Sequence, residues 1–135
     1  MADGVAKIGY GNAEIGTNID RFWLDGPLAI SPLEQVRFMA RVSTGQLPFS
    51  EQALAEVRRL MPQEDIGTAR LFGKTGWAMN AKPMVGWYVG WVENQGRMTA
   101  FVTHLLMNTP EEAPMRKSLA MAALHLFGTL PNPDR

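Results

Sequence analysis

A chain of 135 residues with 46% hydrophobic content has enough apolar material for one domain with a core of its own. Thirteen basic and thirteen acidic residues leave no formal net charge and no basic run, which argues against a nucleic-acid surface, where clustered Lys and Arg must displace counterions. The absence of Cys excludes disulfides and thiolate ligands, and two separated histidines, His104 and His125, give a metal centre little to build on, so neither metal nor cofactor is expected.

In chain order, Val5 and Ile8 stand at helical spacing, so the first eight residues read as the tail of a helix. They show no basic segment followed by an apolar run, so no signal peptide is visible. Gly9, Gly11 and Gly16 then punctuate a loop that runs to Asp25-Gly26-Pro27. A helix opens at Ser31, which is a good N-cap. Pro32 fits the first helical position and Glu34 completes a capping box. Val36, Met39, Ala40 and Ser43 continue it until Gly45. A second helix starts at Ser50, with Phe49 and Leu54 as a hydrophobic staple. Leu54, Val57 and Met61 are expected to face inward, Glu51, Glu56, Arg58 and Arg59 to face water, and Pro62 to end the helix.

The pattern then turns to strand. "ARLFGKTG", "MVGWYVGWVE" and "MTAFVTHLLM" read as three strands, the last two joined by the turn "NQGR". Val85, Trp87, Val89 and Trp91 share one face and read as sheet core. Gly86, Tyr88 and Gly90 share the other, where small residues admit a close neighbour. A last helix contains Met115, Leu119, Ala122 and Leu126 and stops at Gly128 and Pro131. Thr109 to Glu112 resembles a further capping box, but Pro114 would then fall inside the helix, so its start is set near Ala113. No stretch approaches the roughly twenty apolar residues of a membrane span. The class expected is an α/β (α+β) sandwich, an antiparallel sheet packed against helices.

Gly67 with Gly73-Lys74-Thr75 invites a phosphate-loop reading, which the spacing refuses. Five residues separate the two glycines, where such a loop needs four, and the run leads into strand rather than opening a helix. Gly11 and Gly16 have the spacing, but Thr17-Asn18 follows without a lysine. As a strand, the same run offers an anion site. Lys74 can carry its ammonium into a cleft, Thr75 can bond an anion, Gly76 leaves room for substrate, and the Trp77 N–H can serve a developing oxyanion.

Taken together, "YGN" (Tyr10 to Asn12), "IDRFWLDGPLAISPLEQVRFM" (Ile19 to Met39), "GKTGW", "VGWYVGWVE" and "PMRKSL" resemble the class D, oxacillinase-type serine β-lactamases, of the penicillin-recognising transpeptidase-like family. The resemblance implies a β-lactam as ligand, with Tyr10 and Asn12 on the cleft wall and Trp23 beside the family's carbamylated general-base lysine. It implies that Lys74 and the Trp77 N–H act catalytically. It also implies that Thr75, Gly76 and Arg116 bind substrate, Arg116 pairing with the carboxylate through its planar fork. A periplasmic location follows from the same resemblance.

The family's nucleophile motif, S-x-x-K, is missing from these residues. Ser31, Ser43, Ser50 and Ser118 each lack a lysine three positions on, no S-x-V is present, and only nine residues precede "YGN". The expectation is therefore that residues 1–135 form a single partial domain, the C-terminal half of such an enzyme, inactive alone. Exposed apolar surface and an unpaired strand edge should make it dimerise or aggregate. The alternatives are a β-lactam-binding sensor domain, or a remnant without function.

Overall fold

The computed structural model describes residues 1–61 and 63–131. Helices α1 (Ala2–Ile8), α2 (Pro32–Ser43) and α3 (Glu51–Leu60) come first. Strands β1 (Gln63–Ile66), β2 (Ala69–Ala78), β3 (Met84–Asn94) and β4 (Arg97–Met107) follow. A 3-10 turn (Pro110–Glu112) then leads into α4 (Met115–Leu126). The sheet is antiparallel in the order β1-β2-β3-β4. The α/β sandwich read from the sequence is the architecture found.

Local signals placed most boundaries. The Ser31 hydroxyl accepts the Glu34 N–H at 3.3 Å, and the Glu34 carboxylate accepts the Ser31 N–H at 2.9 Å, so the capping box is complete. Gln95 and Gly96 take positive φ between Asn94 and Arg97, which are paired in register. That is the backbone of a two-residue hairpin turn matching strand twist. Helix α4 begins after Pro114, as the missing proline N–H requires, and Thr109 makes no side-chain cap. The helix stop read at Pro62 lies outside the described residues.

One apolar cluster lies between the sheet and α4: Leu71, Tyr88, Val92 and Phe101 pack with Ala120, Leu124 and Leu130. Gly86 makes this approach possible, since a Cβ there would sit 2.6 Å from Cδ of Arg116. On the opposite face, Met39 of α2 meets Phe72 and Trp91, whose rings stack at 4.7 Å.

Several expected faces differ. Strand β1 carried no apolar signal because three of its four residues are exposed, and backbone pairing with β2 holds it in place. Helix α3 has no buried residue, and Val57 is 45% exposed, so of its expected inward face only Met61 packs on the core. Arg58, expected in water, instead lies 4.6 Å from the Phe72 ring centroid and donates to Glu93 at 2.6 Å. Its long apolar stem and flat guanidinium cover ring surface that an aliphatic residue would otherwise take. In α4 the buried residues are Ala120 and Leu124, whereas Met115, Leu119 and Leu126 face outward.

Candidate active site

Among the described residues β1 pairs with β2 only from Ala69 to Phe72, so the edge of β2 has no strand partner among them from Gly73 to Ala78. The Lys-Thr-Gly run therefore presents backbone without a strand partner along one side while β3 holds it on the other. Lys74 lies opposite Val89, on the sheet face that also carries Trp87, and Thr75 lies opposite Tyr88 on the face toward α4.

A cavity of about 550 Å³ opens beside this edge. Tyr10, Trp23, Gln35, Lys74, Thr75, Gly76, Trp77 and Trp87 are on its walls. Six of the eight residues singled out from sequence thus share one cavity. Trp87, read as sheet core, lines it too, its ring tilted against that of His104 with centroids 4.4 Å apart; only Trp91 of that pair is fully buried. Trp23 is 54% exposed, edge-on to Phe22. The Lys74 ammonium folds back to donate to the Thr75 carbonyl oxygen, so it must swing to meet an anion.

Asn12 and Arg116 stand outside that cavity lining. The Asn12 amide donates to the Pro27 carbonyl at 2.9 Å, and its oxygen accepts the N–H groups of Ala29 (3.1 Å) and Glu14 (3.2 Å). Asn12 therefore clamps the Tyr10 loop to the segment before α2. Gly11 belongs to this clamp: its φ is +54°, and a Cβ would meet the Ala29 oxygen at 2.1 Å. Arg116 donates from Nε to the Ala113 carbonyl and from Nη1 to the Gly76 carbonyl, each at 2.7 Å, with its guanidinium 5.2 Å from the Trp77 ring centroid. It holds the back of the strand whose front is the cavity edge.

Sequence reasoning missed Gln35. It is 6% exposed, and its Oε1 has no partner among the described residues, as is true of Trp77 Nε1. Burial pushes the Tyr10 phenol above its ordinary pKa, and the neighbouring Gln35 side chain partly offsets this. The available signal was position: Gln35 sits one turn before Met39, on the packed side of α2.

A four-stranded antiparallel sheet with a lysine beside a free strand edge, packed between helices, frames the site. Residues 1–125 match the penicillin-binding-protein transpeptidase domain, and the chain belongs to that family. Its relatives are class D β-lactamases. It is 34% identical over 115 residues to β-lactamase OXA-48 of Klebsiella pneumoniae, which covers 85% of this chain and 43% of the relative. It is 33% identical over 123 residues to the probable β-lactamase YbxI of Bacillus subtilis, covering 91% and 44%. The crystal structure of a class D β-lactamase from Nostoc superposes with a TM-score of 0.90 at 38% identity, over 95% of this chain and 54% of that one. The chain thus spans less than half the length of these two curated relatives.

Proposed function

We propose that the cavity beside Lys74–Trp77 is the carboxylate- and oxyanion-binding half of a β-lactam cleft. The observation that carries this reading is the free β2 edge, which brings Lys74, Thr75 and Trp77 onto the same cavity as Tyr10. Lys74 supplies positive potential and aids proton transfer, Thr75 hydrogen-bonds the substrate carboxylate, and Gly76 leaves it room. The Trp77 N–H serves as one oxyanion donor. Arg116 holds Gly76 and adds charge behind it for the same carboxylate, and Trp23 walls the side where the general base belongs.

These residues contain no serine with a lysine three positions later, so on this reading the 135-residue chain binds β-lactams without hydrolysing them. The resemblance puts that work in the periplasm; among the described residues no helix is long and apolar enough to cross a membrane. Tryptophan fluorescence tests the binding, because Trp23, Trp77 and Trp87 line the cavity. A penicillin should quench it, and Lys74→Ala and Thr75→Val should each weaken binding about tenfold, as expected for a lost charge-assisted contact. Binding indifferent to both substitutions would sink the site. Turnover of a chromogenic cephalosporin, abolished by Lys74→Ala, would sink the claim that hydrolysis needs groups this chain lacks.

A further inference from the structure

A second cavity, of about 350 Å³, lies on the α4 face of the sheet. Strand register builds it. Leu71, Gly73 and Thr75 alternate onto this face of β2, Tyr88 stands opposite Thr75 on β3, and Glu64 stands opposite Leu71 on β1. Lys117, near the start of α4, completes the wall. Lys74 and Thr75 belong to both cavities, so the two meet at the β2 edge.

Tyr88 gives this cavity its chemistry. The residue is 4% exposed, and its ring packs in the core against Phe101. The hydroxyl lies over Gly73, where a Cβ would sit 2.2 Å from the phenol oxygen, so only glycine admits it there. No hydrogen bond engages this hydroxyl among the described residues, and burial raises its pKa, which keeps the proton on it. Lys117 and Glu64 act on the phenol with opposite signs, so both charges lie near its oxygen. A buried O–H that no protein group accepts is a donor in need of an acceptor.

The charges favour an anion as that acceptor. In the cavity lining, Lys74 and Lys117 face Glu64, which leaves the lining net positive. Lys117 already holds a carboxylate: its ammonium meets Glu64 at 2.6 Å, with both side chains 47% exposed. An exposed ion pair of this kind contributes little, so another carboxylate can exchange with it. Leu71 and the Tyr88 ring are apolar, and they suit a ligand with a small apolar body beside its charge.

We infer that this cavity is a second ligand site, for a small carboxylate with an apolar body, which Lys117 and the Tyr88 hydroxyl bind and for which Glu64 is the built-in competitor. One carboxylate oxygen accepts the Tyr88 O–H, and the other takes the Lys117 ammonium from Glu64. The site stands whether or not the first cavity binds β-lactams.

Benzoate is the probe, titrated into the isotope-labelled 135-residue chain and followed by amide shifts. Saturable shifts are expected at Gly73, Tyr88 and Lys117. Lys117→Met should weaken benzoate about tenfold and Tyr88→Phe about fivefold, as loss of a charged and of a neutral hydrogen bond does. Glu64→Gln should tighten it about threefold by removing the competitor. Tyr88→Phe keeps the ring, and Lys117 and Glu64 are half exposed, so circular dichroism should show the fold kept in all three. An affinity unchanged in any of the three would overturn the site, as would the absence of saturable shifts. So would binding lost in Lys74→Ala but kept in Lys117→Met, with shifts centred on Trp23 and Trp87, because that benzoate would sit in the first cavity. Quenching by a penicillin should be indifferent to Lys117→Met; its loss there would merge the two cavities and refute a separate site.

Discussion

The guanidinium of Arg116 donates to the carbonyl oxygen of Gly76 at 2.7 Å, tying α4 to the back of the strand whose free edge faces the cavity. The two residues are forty apart in sequence, and their contact sets where the Lys74–Trp77 backbone lies. Arg116→Ala removes this bond and the stacking on Trp77. A charged, partly buried hydrogen bond contributes roughly 1.5–3 kcal/mol, and urea denaturation should show a loss near the lower end. Arg116→Lys should recover only part of it, because an ammonium lacks the planar fork that meets Ala113 and Gly76 together.

Gly11→Ala should cost more than Asn12→Ala. The alanine would hold a left-handed φ and place its Cβ against the Ala29 oxygen, a combined penalty above about 2 kcal/mol. Asn12→Ala removes exposed hydrogen bonds, for about 1 kcal/mol. Chemical denaturation of the two variants side by side checks the order, and equal stabilities would contradict the clamp.

Trp91 and Val57 both stand at periodic apolar positions, yet their truncations should differ sharply. Trp91 is 0% exposed and stacked on Phe72, so Trp91→Ala should lose about 3–5 kcal/mol. Val57→Ala, on a helix with no buried residue, should stay within about 0.5 kcal/mol. Thermal melts of both variants provide the measurement.

Acid should weaken the tie between α3 and the sheet. The Arg58 hydrogen bond holds the Glu93 carboxyl below the usual carboxylate range, and the Trp91 indole N–H adds to it. A depressed folded value means the stabilisation is full above the unfolded carboxylate pKa, about 4.3, and is lost as pH falls through the lower folded value. Because both partners are part-exposed, solvent screening limits it to about 1 kcal/mol. The stability difference between the chain and Glu93→Gln should be flat above about pH 5 and vanish in stronger acid. A difference that grew on acidification would refute the assignment.

Much of this chain could be read from short segments. The Ser31–Glu34 box, the Gln95-Gly96 turn, the Pro114 helix start and the alternation along β3 each depend on chemistry within a few residues. The candidate site was legible for the same reason: Lys74, Thr75, Gly76 and Trp77 are consecutive on one strand.

The sequence by itself determined where the helices and the three longer strands begin and which of their side chains share a face, while β1 left no signal in it. It did not determine which faces are covered. Periodicity marked Val57, Leu119 and Leu126 as apolar, but only the packed fold left them in water, while it buried Gln35 and laid Arg58 across Phe72. Burial is decided by what arrives from elsewhere in the chain, so tertiary structure alone placed Arg116 behind Gly76.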